Sequence, residues 1–180
     1  KWADNIIANG VPHNNWDLLQ ARYIMNVGLV LEDNKEYADG KGREYYIDYV
    51  LNRSGIRQWS LTRLADYGFD AETGIWAECP GYSSVVINDY ANFANQFDNN
   101  LHYDLVKAMP VLSKAVAATP QYLFPNRMIC GFGDTHPGYL NTNFFIRMIQ
   151  NAQANGKKEQ EDYFTALLKC LNPETDADKG

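Results

Sequence analysis

Apolar side chains recur at helical spacing along most of the chain. The clearest stripe, at i, i+4, i+7 and i+11, consists of Val86, Tyr90, Phe93 and Phe97. Residues 141–154 carry phenylalanine, methionine and isoleucine on one face, and residues 160–171 carry phenylalanine and leucine, which predicts two more amphipathic helices. Residues 16–32 are apolar on nearly every side. A helix without a continuous polar face must be covered on most sides, so we expect this one to be among the most buried.

Glycine and proline mark where the pattern weakens. Residues 1–14 contain a glycine, a proline and several asparagines, which predicts an irregular segment. Two glycines weaken the middle of a helix predicted over residues 34–52, by about 1 kcal/mol each relative to alanine. Pro110 lies inside a helix predicted over residues 104–118 and should kink it or begin a new first turn there.

These elements together predict the fold class. A further short helix is predicted over residues 58–67, and the only strand candidate is residues 128–132. Helices joined by short or medium loops, with almost no strand, predict an all-α fold of antiparallel helix hairpins, as in a bundle, a solenoid or part of a toroid. We expect one helical domain over residues 1–173 and a polar tail at residues 174–180.

The charge balance limits the partners. The 180 residues carry 16 basic and 22 acidic side chains, a net charge of −6, so a nucleic-acid backbone is an unsuitable ligand. An anionic polysaccharide would also be repelled unless basic groups were gathered locally. No apolar run reaches the length of a membrane span, so no membrane partner is expected.

Cysteine and histidine give no sign of a metal site or a cofactor. Cys79, Cys130 and Cys170 have no C-x-x-C spacing and are odd in number. His13 and His102 are widely separated in the sequence. We therefore expect neither a metal nor a cofactor.

Asparagines precede the apolar helix, in the run Pro-His-Asn-Asn-Trp that ends at Trp16. Asparagine is a preferred N-cap, because its side-chain oxygen accepts a hydrogen bond from an otherwise unpaired backbone N–H. The alternative is that one amide points into a cleft and donates a hydrogen bond to a substrate. The sequence leaves both roles open.

Two later loops also concentrate polar groups. In the loop from Trp76 to Tyr82, a Pro-Gly turn either leaves Tyr82 as a partly buried aromatic residue or holds its hydroxyl exposed for proton transfer. In the run of residues 131–138, glycines permit close backbone approach, and Asp134 beside His136 could orient the imidazole or bind sugar hydroxyls. A simple glycine-rich connection is the alternative.

Taken in order, these segments resemble the heparinase II/III-like polysaccharide lyases and their alginate-lyase relatives. The matching residues are Asn15-Trp16, then Glu78-Cys79-Pro80-Gly81-Tyr82, then Phe132-Gly133-Asp134. The resemblance implies that the helices are part of an incomplete (α/α) toroid, and that the chain is a fragment that lacks some helices and a following β-sandwich domain. It also implies a periplasmic or secreted enzyme.

The resemblance further implies β-elimination at a uronic acid in an anionic polysaccharide or oligosaccharide. Asn15 would neutralise the carboxylate and Tyr82 would protonate the leaving oxygen, while the identity of the base stays open. The implied substrate-binding residues are Trp16 and Trp76, which would stack on sugars, and Glu78, Asp134 and His136.

Two other functions fit the same sequence. A glycoside hydrolase on a helical toroid would use a carboxylate pair such as Glu78 and Asp134. A non-catalytic helical carbohydrate-binding module would bind glycans without turnover. An unsaturated, ultraviolet-absorbing product distinguishes a lyase from both, whereas the particular uronate polymer is left open.

Overall fold

The computed structural model describes residues 1–172, and this part is mainly helical. It forms nine α-helices: α1 Trp2–Asn9, α2 Asn15–Val30, α3 Arg43–Leu51, α4 Leu61–Gly68, α5 Pro80–Leu101, α6 Leu105–Ala108, α7 Val111–Ala118, α8 Asn143–Ala154 and α9 Lys158–Leu171. Two 3₁₀ turns lie at Asn34–Glu36 and Thr119–Tyr122. Within these residues no strand or sheet forms, so the predicted all-α class is confirmed. The tail predicted at residues 174–180 lies outside the described part.

The chain divides into two compact units. The N-terminal unit is Lys1–Asp70 and contains α1 to α4, and the C-terminal unit is Ala71–Gly180 and contains α5 to α9. The boundary falls in the loop between α4 and α5, inside the region for which we predicted one helical domain.

The prediction of an irregular segment over residues 1–14 is wrong, because α1 occupies most of it. This helix is fixed by a contact remote in sequence. Asp4 accepts a hydrogen bond from Lys41 Nζ at 2.8 Å and another from the Tyr46 hydroxyl at 3.3 Å. Ala3 is buried, at 2% exposure. The helix therefore depends on tertiary partners that its own sequence does not reveal.

Helix α2 forms close to its predicted bounds but buries only one face. That face consists of Asp17, Leu18, Ala21, Ile24, Met25 and Gly28. Trp16 is 56% exposed and Val30 80% exposed, so the expectation of cover on most sides is wrong. Within the N-terminal unit, α1, α3 and α4 pack against this helix and leave these residues uncovered.

The second predicted helix begins later than expected, at Arg43, because the backbone turns at the two glycines. Gly40 has a φ of 66°, and a Cβ on Gly42 would lie 2.5 Å from the Glu32 carbonyl oxygen. The chain is held in this turn by Asn34, whose side-chain oxygen accepts a hydrogen bond from the Gly42 N–H at 2.8 Å. Residues 34–42 therefore form a 3₁₀ turn and a loop.

The predicted stripe of α5 is confirmed, since all four of its residues are at most 2% exposed. Helix α5 packs against α8, and α8 packs against α9. Phe144 and Phe145 of α8 are fully buried, as is Phe164 of α9, at 1% exposure. These rings are among the largest fully buried side chains of the C-terminal unit.

Pro110 restarts the chain as predicted, since α6 ends at Ala108 and α7 begins at Val111. The strand predicted over residues 128–132 does not form. Single bridges pair Leu123 with Ile129 and Met128 with Tyr139. Because these two bridges involve different partners, they do not extend into a ladder.

Helices long and apolar enough to cross a membrane are absent from the described residues.

Candidate functional site

A concavity of about 540 Å³ opens on the C-terminal unit. We call it the tyrosine concavity, and its lining residues are Gly81, Tyr82, Val85, Gly133, Asp134, Thr135 and His136. It joins the first turns of α5 to the loop of residues 131–138. Three residues selected from the sequence therefore lie around one opening: Tyr82, Asp134 and His136.

Tyr82 is positioned by the start of α5. Cys79 is the N-cap of this helix and Pro80 its first residue, where a fixed φ and a missing N–H cost nothing. The Ser83 hydroxyl donates hydrogen bonds to the carbonyl oxygens of Glu78 at 3.0 Å and Cys79 at 3.1 Å, which tightens the entry to the helix. Tyr82 remains 37% exposed. Its ring is therefore held on a helix while part of the side chain stays open to solvent.

Thr135 fixes the loop of residues 131–138 to α5. Its hydroxyl oxygen accepts a hydrogen bond from the Gly81 N–H at 2.9 Å, and the residue is 7% exposed. The Gly81 N–H lies in the first turn of the helix, where it has no helical acceptor. This bond brings Asp134 and His136, both exposed, to the side of the helix that carries Tyr82.

Gly133 is required for the close approach of the loop to α5. Its φ is 59°, in the left-handed region that glycine adopts without strain. A Cβ at this position would lie 3.1 Å from Cys79 Cβ. A larger residue would therefore separate the loop from the helix.

Cys79 lies beneath this junction, and its environment favours the thiolate. Burial alone would raise its pKa, but hydrogen bonds from the Thr135 hydroxyl and from the backbone N–H groups of Tyr82, Asp134 and Gly81 hold the pKa below the usual value. The same donors would stabilise other negative charge that develops nearby.

Trp76 and Glu78 have structural contacts in this loop. The Trp76 indole N–H donates to Glu78 Oε2 at 2.7 Å, and Trp76 is only 2% exposed. A sugar needs an open ring face, so the expected stacking role of Trp76 is wrong. Glu78 is half-buried and does not line the tyrosine concavity among the described residues. The carboxylate pair of Glu78 and Asp134 is therefore not gathered at this opening.

The remaining candidates lie in the N-terminal unit. The capping role belongs to Asn14, whose side-chain oxygen accepts a hydrogen bond from the Trp16 N–H at 3.0 Å. Asn15 is the first residue of α2, is half-buried, and its amide makes no hydrogen bond within residues 1–172. Trp16 has an open ring. That Asn15 and Tyr82 face one cleft stays a prediction.

Two residues that line the tyrosine concavity, Thr135 and Val85, were not predicted from the sequence. Thr135 shows no local signal, because its partner Gly81 is 54 positions away. Val85, 52% exposed on α5, adds an apolar surface one turn after Tyr82, and its exposed position at i+3 could have been noticed. Among the described residues no group of three or more histidine, cysteine or acidic side chains could hold a metal ion.

Comparison with known proteins gives one match. Residues 72–177, more than half of the chain, match the family model described as the endo-acting ulvan lyase second domain. This range lies in the C-terminal unit and includes the whole tyrosine concavity. The chain matches no curated protein and no solved structure.

Proposed function

The chain belongs to the endo-acting ulvan lyase second-domain family, a family of polysaccharide lyases, and we propose that its tyrosine concavity carries out β-elimination on a uronate-containing polysaccharide. The observation that supports this most is the position of Tyr82. Its ring is partly exposed on the first turn of a long helix, within one opening that also contains Asp134 and His136.

The proposed reaction uses Tyr82 as the proton donor. A base removes the proton from C5 of the uronate, the C4–O bond breaks, and a C4–C5 double bond forms. The departing glycosidic oxygen takes the proton of the Tyr82 hydroxyl. In this scheme the base is either Tyr82 itself, once deprotonated, or a second group.

Asp134 and His136 are proposed to bind the sugar. Both side chains are exposed in a loop that is pinned by Thr135, so they can contact hydroxyl groups without moving the helix. Asn15 is proposed to bind the substrate carboxylate through its unpaired amide, and Trp16 to stack its exposed ring on a sugar. Neutralising the carboxylate would make the adjacent C5 proton more acidic.

The proposals for the complete fold, the further domain and the localisation rest on the resemblance of the sequence motifs. We propose that the helices are part of an (α/α) toroid of the heparinase II/III-like kind, in a longer protein with a β-sandwich domain. Such an enzyme would be periplasmic or secreted. Ulvan is the substrate that the name of the matching family suggests, so it is the first polymer to assay.

The test is the formation of an unsaturated uronate, followed by its ultraviolet absorbance, with the chain and its Tyr82→Phe variant. Loss of the hydroxyl should lower turnover by about 10²–10⁴-fold, the usual contribution of a general acid. The melting temperature should change little, because phenylalanine fills the same space. Tyr139→Phe, at a tyrosine that is 78% exposed and does not line the concavity, is the matched control.

Near-normal turnover by a folded Tyr82→Phe variant would rule out Tyr82 as the acid. Release of saturated sugars without the ultraviolet product would replace the lyase by a hydrolase.

A further inference from the structure

A second concavity, of about 450 Å³, lies in the N-terminal unit. We call it the arginine concavity, and its lining residues are His13, Ser54, Gly55, Ile56, Trp59 and Arg63. The family match begins only at residue 72 and the reaction proposed above uses none of these side chains. What this concavity could bind is therefore a separate question.

Its floor is held by buried polar contacts. Asp17 is fully buried, and both of its carboxylate oxygens lie 3.2 Å from the Trp59 N–H, which donates to them. Gln58, 1% exposed, donates from its side-chain amide to the Asp17 carboxylate and to the Asp17 carbonyl oxygen at 3.1 Å. The loop of residues 54–60 is thus anchored to α2 from below.

The loop is also closed on itself. The Gly55 N–H donates to the Gln58 carbonyl oxygen at 2.8 Å, and the Ser60 N–H donates to the Ser54 hydroxyl at 3.0 Å. A Cβ on Gly55 would lie 2.6 Å from the Tyr49 hydroxyl, so the loop lies directly against α3. These contacts hold the loop that forms part of the rim of the concavity against α3.

Arg63 and His13 are both fixed on Trp59. The Arg63 guanidinium lies 3.9 Å from the centre of the Trp59 ring, a cation–π contact. The His13 imidazole stacks on the same ring at 4.1 Å, with a backbone φ of 78°. Both groups are exposed, so their N–H donors remain available while their positions are restricted.

The surrounding sequence has an excess of positive charge. Residues 49–65 contain three arginines and no acidic side chain. Arg53 forms an ion pair with Asp48, whereas within residues 1–172 no carboxylate lies at salt-bridge distance from Arg63. The charge of Arg63 acts on the buried carboxylate of Asp17, and burial raises the pKa of Asp17 to about 7. With the flanking Asp48 and Asp66 counted, residues 48–66 keep a small positive excess, three arginines against two aspartates, in a chain of net charge −6.

We propose that the arginine concavity is a subsite for the anionic substituent, carboxylate or sulfate, of an acidic polysaccharide. Arg63 offers a planar fork that can bind either group with two hydrogen bonds, and the exposed His13 imidazole, which lines the same opening, offers a further N–H donor. Ile56, 87% exposed, provides an apolar surface for the C–H groups of a sugar ring. The choice of a saccharide as ligand rests on the proposed lyase function.

The experiment is a binding titration, followed by NMR, of the full 180-residue chain carrying Tyr82→Phe, so that the probe is not consumed. The probe is an unsulfated oligosaccharide with glucuronate at alternate positions. Its carboxyl methyl ester, which keeps the shape and removes the charge, is the matched neutral ligand. Salt is kept low and constant, because salt screens exposed charges.

Arg63→Gln should weaken binding of the acidic probe by about tenfold, the typical size of a charge-assisted contact. Lys35→Gln removes the same charge at a residue that pairs only with its neighbours Asp33 and Glu36, and it should change the affinity less than twofold. The methyl ester should bind both chains weakly and equally, and the shifted resonances should include those of His13 and Trp59. Displacement of the probe by inorganic sulfate would extend the subsite to sulfated sugars.

Equal affinity of the Arg63→Gln and Lys35→Gln variants would overturn the proposal. So would binding of inorganic sulfate at Arg63 without binding of the oligosaccharide. A failure of the lyase proposal is distinguishable: the chain would form no unsaturated product while binding still depended on Arg63. If the chain is an active lyase and Arg63→Gln leaves its KM for a uronate polymer unchanged, the subsite proposal fails while the lyase proposal stands.

Discussion

The two compact units differ in what they bury. The core of the C-terminal unit includes six fully buried phenylalanine and tyrosine rings from α5, α8 and α9. In the N-terminal unit, a carboxylate and an amide, Asp17 and Gln58, are buried and hold a loop in place. Aromatic burial is insensitive to pH, whereas a buried carboxylate is not. The stability of the two units should therefore respond differently to solution conditions.

The difference extends to their surfaces. The tyrosine concavity places a phenol beside an acidic residue and a histidine, and the arginine concavity places a guanidinium beside a histidine and a serine. The first set suits proton transfer and the second suits binding of an anion. Only the first lies within the range that matches the lyase family.

The largest effect should come from Asp17→Asn. Burial raises the folded-state pKa of Asp17 to about 7, against hydrogen bonds from the backbone of Trp59 and His13. Its contribution to stability is therefore complete below about pH 4 and is lost as the pH rises towards 7, by up to about 4 kcal/mol. In the asparagine variant, the unfolding free energy should no longer decrease over this pH range. Urea unfolding of the full chain at pH 4.5, 6 and 8 measures this.

Asp104→Asn provides the contrast, since Lys157 holds that carboxylate at 2.7 Å and keeps its pKa below the usual value despite burial. If the unfolding free energies of the wild type and of Asp17→Asn changed in parallel between pH 4.5 and 8, the proposed difference in pH response between the two units would be wrong.

The next effect concerns the tyrosine concavity. Gly133→Ala places a side chain at positive φ and 3.1 Å from Cys79, so it should cost about 2–3 kcal/mol and lower lyase activity. Gly156→Ala is the matched control, because its φ is 65° but nothing lies within 4 Å. It should cost about 1–2 kcal/mol and leave turnover unchanged. Thermal melts and ultraviolet assays of the two variants measure both effects, and equal turnover would show that the loop position does not matter.

The smallest effect separates two neighbouring asparagines. Asn14→Ala removes the N-cap of α2 and should cost about 1 kcal/mol in chemical unfolding. Asn15→Ala removes an amide that has no hydrogen bond in the described chain, so the unfolding free energy should change by only a few tenths of a kcal/mol. If Asn15 binds the substrate carboxylate, turnover should fall in the second variant more than in the first. A larger loss of turnover in Asn14→Ala than in Asn15→Ala would rule out Asn15 as the residue that binds the carboxylate.

Features that depend on neighbouring residues could be predicted from the sequence, whereas features that depend on contacts between distant residues could not. The stripe of α5 and the break at Pro110 are local patterns, and both are present in the structure. Helix α1 was missed because Lys41, far along the chain, fixes Asp4. Asp17 reads as an ordinary acidic residue in a first helical turn, and only the folded loop reveals that it is buried.

The candidate site shows the same limit. Tyr82, Asp134 and His136 were selected from their local motifs, and the structure places them around one opening. Thr135, which joins the two segments, has no motif of its own, because its role depends on a backbone N–H elsewhere. Trp76 has the sequence context of an exposed aromatic platform, but the hydrogen bond to Glu78 and the surrounding core bury it.

The hydrogen bond from Gly81 to Thr135 also affects how the site can be lost. The two residues are 54 positions apart, and the neighbours of Thr135 in its loop are exposed, so the tyrosine concavity can open without unfolding of the aromatic core. As the second residue of α5, Gly81 has no helical carbonyl acceptor for its amide, and its acceptors, the Thr135 hydroxyl oxygen and the Cys79 sulfur, both lie at this junction. Its rate of exchange with solvent hydrogen therefore reports the fraction of molecules in which the concavity is assembled, at a single position and without any substrate.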